Sequence, residues 1–198
     1  GLIAFMSTVS TPHKSLLLAC DTIVSLAEDH IENITVFNCG GAVQVLAKVI
    51  EMHDNSSESD VSIMGLALQA MVKLINNNSD NSLLYGTKHF CDLVSGIFEK
   101  NLTVAVVVKP VVEFIGVLAH LHSENANNIL ETIIPNSLSQ TLVIHASNQD
   151  LIRSTLHALW LLCRSASPSA NPQIRKLHMS QTIQSVISRH VEGGLGPS

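Results

Sequence analysis

Apolar residues in this chain recur at three- and four-residue spacing in short blocks, each closed by a polar, Gly or Pro break. That is the period of amphipathic helices. Residues 1–9 read as a short apolar helix, and Ser10-Thr-Pro-His breaks it, with Pro12 suited to a first helical turn. Lys14 to Glu28 is amphipathic, and Ile31 to Cys39 is a short helical segment. Gly40-Gly41 interrupts, and Ala42 to Met52 follows with Val45, Leu46, Val49 and Ile50 on its apolar face. His53 to Asp60 is the most polar stretch and is expected to be an exposed, mobile loop. The cycle then returns: Val61 to Asn76, Asn81 to Gly86 and His89 to Lys100; Val104 to His122, Asn127 to Ile134 and Leu138 to Ala146; Gln149 to Ser165, Asn171 to Leu177 and Met179 to His190. No block alternates with period two, so no strand is expected, and the Val-rich run at 104–108 is read as a helix start.

The cycle is a repeat. The blocks that begin at Leu17, Gly65, Lys109 and Arg153 can be laid over one another, with steps of 48, 44 and 44 residues. Short apolar helices at a period of roughly 40–47 residues predict an all-α, right-handed α-solenoid, here of about 3.5–4 repeats. The expected division is one solenoid over residues 1–191, with units at 1–9 (partial), 13–53, 61–101, 104–147 and 149–191, then a Gly/Pro-rich disordered tail at 192–198. The polar residues Gln181, Gln184, Ser185 and Ser188 suit an end repeat that must face water.

Three segments carry a resemblance. Residues 33–46, Asn33 to Leu46, place a short helix, the Gly-Gly turn and a second helix in the armadillo order, and Ala19 to Ala27 is similar to that family's third helix, A-x-x-A-L-x-N-L-A. Ala67 to Ile75 matches it again. The last two units, where Ile133-Ile-Pro135 and Leu177-His-Met179 replace Gly-Gly, are equally HEAT-like. The chain opens on what resembles a second helix, so Gly1 is expected to begin a fragment of a longer protein.

The resemblance implies a concave groove of third helices that holds an extended peptide, and hence a scaffold or adaptor that binds proteins. In armadillo proteins of the importin-alpha and beta-catenin kind a ladder of Asn clamps the ligand backbone, and the importin type adds Trp. The ladder positions here are Ser25, Lys73, Val117 and Leu161, and the Trp positions are Asp21, Gln69, Glu113 and His157. A receptor for nuclear-localisation signals is therefore not expected. One helical face still assembles from Leu17, Asp21, Val24 and Glu28; Gly65, Gln69, Val72 and Asn76; Lys109, Glu113, Gly116 and His120; and Arg153, His157, Trp160 and Arg164. It runs from acidic to basic, a polarity that would steer a complementary partner into register; an ordinary solvated face has the same composition. The groove candidates are Asp21, Gln69, Lys73, Lys109, Glu113, Arg153, His157, Trp160 and Arg164. Trp160, the sole tryptophan, fits two roles: an interface anchor beside Arg153, His157 and Arg164, or a spacer near core positions Leu159 and Leu162.

Composition narrows the rest. Aromatics are 4% of the chain and Ala, Val, Leu and Ile carry the apolar load, which suits close helix packing. A net charge of -5 argues against nucleic acid as a partner, although a nucleic-acid-associated HEAT-like scaffold is kept as an alternative for the small basic patch at the last unit. Self-assembly through the repeat ends is the other alternative, since Leu2, Ile3, Phe5 and Met6 form an apolar edge. Cys20, Cys39, Cys91 and Cys163 form no C-x-x-C pair, and free thiols fit an intracellular protein, cytoplasmic or nuclear. The sequons at Asn33, Asn55, Asn77 and Asn101 carry meaning only under secretion, and no leader is visible. Lys109 and Glu113 argue against a membrane span at residues 104–121. His120-x-His122 puts two rings on different sides of a helix, and H-E-x-x-H, phosphate-loop and G-x-S-x-G patterns are absent. No enzyme activity, cofactor or metal is expected.

Overall fold

Side chains at the helix starts set the elements. Ser57 Oγ accepts a bond from the Asp60 amide (3.2 Å), Asn78 Oδ1 from Asn81 (3.0 Å) and Asn148 Oδ1 from Leu151 (3.1 Å). Each satisfies a backbone donor that a first helical turn leaves without a partner. The computed structural model describes residues 1–8, 12–53, 57–76 and 78–168, together with Gln184 and Ser188. The described residues form eleven helices and no strand: α1 (Leu2–Met6), α2 (His13–Ala27), α3 (Ile31–Cys39), α4 (Ala42–Met52), α5 (Glu58–Ile75), α6 (Ser79–Tyr85), α7 (Lys88–Lys100), α8 (Ala105–Leu121), α9 (Ser123–Leu130), α10 (Ile134–Ile144) and α11 (Gln149–Ser165).

The long helices α2, α5, α8 and α11 pack side by side in that order. A short helix and a middle helix lie between each pair in sequence, and the middle helices α4, α7 and α10 back onto α5, α8 and α11. The result is an all-α solenoid. Helix α8 lies between α5 and α11 and buries Val107, Val108, Val111, Val112, Phe114, Ile115, Leu118 and Ala119. That position explains why residues 104–121 are so apolar: packed between α5 and α11, the helix keeps only a narrow open stripe, which carries Lys109, Glu113 and His120. Each such side chain contributes about 1.5–3 kcal/mol of burial, before the entropy of ordering it is subtracted. No single described helix is long and apolar enough to cross a membrane.

Two glycines are required by geometry. Gly41 joins α3 to α4 at φ +76°, a left-handed conformation that costs a side chain dearly. Gly65 lets α5 approach α8 so closely that a β-carbon there would lie 2.9 Å from the Val106 carbonyl oxygen. Pro110, inside α8, has no N–H to donate to that same carbonyl. The close crossing thus falls where α8 lacks a backbone bond.

Several boundaries differ from the sequence reading. Helix α9 begins at Ser123, not Asn127, because Ser123 and Glu124 join its first turn. Helix α10 begins at Ile134, not Leu138; Pro135 sits in its first turn, where a missing N–H costs nothing. The 53–60 stretch is not a uniformly exposed loop. Ser57 caps α5, Glu58 is helical and Asp60 is buried, with the Ser57 hydroxyl donating to its Oδ2 and His53 Nδ1 lying 2.7 Å from its Oδ1. The N-terminal apolar edge is mostly covered as well: Met6 is buried and Leu2 and Ile3 pack against the core, which leaves Phe5 exposed. Gln184 and Ser188 are helical and exposed. The remainder of the segments read as Asn171 to Leu177 and Met179 to His190, and the tail at 192–198, lie outside the described residues.

The Ser57 hydroxyl, and then His53, hold the Asp60 carboxyl below the usual carboxylate range. A folded pKa below the unfolded one gives stability that is complete above the unfolded value and is lost as pH falls through the folded value. Urea unfolding followed from neutral pH into the acid range should therefore show a steeper acid-side loss for the wild-type chain than for Asp60→Asn.

Candidate functional site

The shared face of α5, α8 and α11 lines two adjoining clefts, and a third lies where the end of α2 meets α3 and α5. The one between α8 and α11 has a volume of about 370 Å³. Its floor is Val112, Gly116, Ala158 and Leu161, and its rim carries Asn76, Glu113, His120, Ser154, His157, Trp160 and Arg164. The floor is apolar because the helices nearly touch: a β-carbon on Gly116 would lie 3.6 Å from Ala158 Cα. The 3.6-residue period then raises His157, Trp160 and Arg164 along one edge of α11, each a helical turn from the next.

Trp160 is 52% exposed and is bracketed along its helix. The His157 ring stacks on it at 5.7 Å between centroids and 18° between planes. The Arg164 guanidinium carbon lies 5.1 Å from the indole centroid. A cation over an exposed indole is worth about 0.5–1 kcal/mol, enough to favour one arrangement of both side chains. Leu159 and Leu162 fill the interior, and the Trp160 indole stands on the surface.

A second cleft, about 190 Å³, lies between α5 and α8 and is lined by Gln69, Ala105, Val106, Lys109, Pro110 and Glu113. Glu113 borders both clefts and faces Lys109 Nζ at 4.0 Å. A third, about 550 Å³, is bounded by the end of α2, by α3 and by α5, and includes Ile31, Asn38 and Lys73. There Lys73 Nζ lies 2.7 Å from Glu28 Oε1, so the acidic end of the groove is partly neutralised within the chain.

Of the nine groove candidates, Glu113, His157, Trp160 and Arg164 share one cleft and Gln69, Lys109 and Glu113 share the next. Lys73 stands in the third. Asp21 and Arg153 are exposed but line none of these clefts, and Arg153 lies 3.8 Å from Asp150 of its own helix. Gly65, Gly116 and Val24, read on the open face, are buried, the two glycines at helix crossings. Leu161, at a ladder position, belongs to the cleft floor. Ser154 was not a candidate; its place beside Arg153 puts it one turn before His157 and Ala158, which is the signal that could have found it.

Cys20, Cys91 and Cys163 are shifted away from the thiolate form. Burial pushes Cys20 and Cys91 up to about 12 and raises Cys163 as well.

No protein-family model and no curated protein matches the sequence. Solved structures do match. An engineered protein known from a crystal structure superposes with a TM-score of 0.74 at 18% identity, covering 93% of this chain and 42% of that one. A designed armadillo repeat protein, solved in complex with a (KR)4 peptide, superposes with a TM-score of 0.55 at 14% identity, covering 93% of this chain and 89% of that one. The fold is that of an armadillo-like repeat solenoid. In armadillo-like terms α2, α5, α8 and α11 are third helices, and the clefts lie on the surface they share. This chain spans less than half the length of the engineered protein it matches.

Proposed function

We propose that the chain is an intracellular protein-interaction module, a scaffold or adaptor without catalytic activity, that binds an extended segment of a partner along its third helices. One observation carries the reading: Trp160 stands half-exposed and bracketed by His157 and Arg164 on the rim of the α8–α11 cleft. A large side chain already held in place loses little entropy on binding, and Trp and Arg dominate interface energetics. The designed armadillo protein in complex with a (KR)4 peptide supports a peptide ligand for this architecture. The Arg164 guanidinium and the His157 ring on this rim, with Arg153 beyond them, favour acidic and aromatic residues in the partner segment here.

Selection of a random displayed-peptide library on the chain tests this. Peptides rich in acidic and aromatic residues should be recovered, and they should change the fluorescence of the sole tryptophan. Trp160→Ala should weaken their binding by about 2 kcal/mol or more, roughly 30-fold, with helical circular dichroism unchanged. Peptides that bind Trp160→Ala as tightly as the wild-type chain would place binding elsewhere.

A further inference from the structure

His13 opens α2, His53 closes α4 and Asp60 lies in the first turn of α5. None lines the clefts described above. Each offers one donor atom, and the three atoms lie within 4.8 Å of one another. Asp60 Oδ1 is 2.7 Å from His53 Nδ1 and 3.4 Å from His13 Nε2. Ligands about 2.0–2.2 Å from a tetrahedral zinc ion stand about 3.3–3.5 Å apart, so modest side-chain movement reaches that spacing. The other carboxylate oxygen, Oδ2, accepts from the Ser57 hydroxyl, which orients the group and leaves Oδ1 turned to the two rings. Partners that orient a ligand in this way are a regular part of metal sites. The His53 and Asp60 side chains are nearly buried while that of His13 is half-exposed, so the cluster opens to solvent on one side.

We infer that His13, His53 and Asp60 form a site for a divalent transition cation, zinc foremost, with two imidazole nitrogens and one carboxylate oxygen as protein ligands and water in the fourth position. Two nitrogens and an oxygen suit zinc better than magnesium or calcium, which prefer oxygen alone. Without the ion the same groups form a hydrogen-bonded cluster. Binding replaces the bridging proton, so each ring presents a lone pair at the nitrogen that faces Asp60 and carries its proton on the other. The ion would tie α2, α4 and α5 together across a repeat boundary. Since the three ligands meet only in the folded chain, zinc should raise the melting temperature.

The test uses the whole chain stripped of metal, with the exposed thiols Cys39 and Cys163 changed to Ser in every protein compared. Calorimetric titration with zinc chloride should give one ion per chain, and cobalt(II) should give the visible absorption of a four-coordinate site. Ser57→Ala, which removes the orienting partner, should weaken zinc about 10–100-fold, and Asp60→Ala and His53→Ala should weaken it further. His13→Gln leaves the bonds of Asp60 to Ser57 and His53 in place, so it should fold as the parent does yet bind zinc far more weakly and lose the cobalt spectrum. If Asp60→Ala unfolds, His13→Gln decides alone. A parent chain that binds no zinc, or that binds it no better than His13→Gln does, overturns the inference.

Discussion

Replacing Phe114 with Ala should lower the free energy of unfolding by about 3–5 kcal/mol. Phe114 is 0% exposed at the middle of α8, the helix that joins α5 to α11. Its ring meets the edge of Phe90 at 5.8 Å, and Phe90 meets Tyr85 at 5.2 Å, so three rings link α6, α7 and α8. In a chain with so few aromatics this is the largest cluster of contacting rings in the described core. The loss combines the transfer energy of the ring with the cavity left behind. Phe114→Leu, which keeps most of the volume, should cost less than half as much. Urea unfolding read by circular dichroism and by Trp160 fluorescence checks both; a loss under about 1 kcal/mol for Phe114→Ala would mean that α8 is not the packing centre.

Gly86→Ala should cost about 3 kcal/mol, and most of that cost should vanish when Asn125 is also Ala. A β-carbon on Gly86 would overlap the Asn125 amide group. Asn125 is 1% exposed, and its Nδ2 donates to the Ser82 carbonyl (3.0 Å), the Ser82 hydroxyl (3.0 Å) and the Leu118 carbonyl (3.1 Å). Beside it Asn128 Nδ2 donates to the Gly86 carbonyl at 2.8 Å. The bonds to Ser82 and Gly86 fasten α9 to α6 and the turn that follows it, about one repeat earlier in sequence. A methyl group at Gly86 therefore displaces a buried amide from the bonds it donates, and a buried polar group left without them costs about 1–3 kcal/mol. Asn125→Ala alone should cost about 2–3 kcal/mol for the same reason, and it opens the space that the methyl group needs. A double-mutant cycle measures the coupling; strictly additive losses would mean that the two groups do not meet.

How much could be read in advance depended on the range of the interaction. The repeat was legible because each long helix turns an apolar stripe inward at fixed spacing, so Cys20, Leu68, Val112 and the half-buried Leu156 fall in register whatever surrounds them. The rim of the α8–α11 cleft was legible for the same reason: His157, Trp160 and Arg164 are neighbours on one helix, and Glu113 is their counterpart one repeat back. Relations across helices were not. Gly65 and Gly116 share the periodicity of an open face, yet each marks the point where two helices nearly touch. Asp60 reads as one more polar residue in a polar run, because the partners that bury it, His53 and His13, stand at the ends of other helices. The start of α10 was read late because Pro135 signals either a stop or a first turn, and only packing decides between them.

The claim that the third-helix groove holds a partner segment is tested most directly by nuclear magnetic resonance on the isotope-labelled chain titrated with a library-selected peptide. The sole tryptophan gives a single indole N–H signal, which reports on the α8–α11 cleft. The groove account predicts that this signal shifts together with the amides of Gln69, Glu113, His157 and Arg164, while those of α4, α7 and α10 stay in place. Shifts confined to α4, α7 and α10, with the Trp160 indole unmoved at saturation, would contradict it.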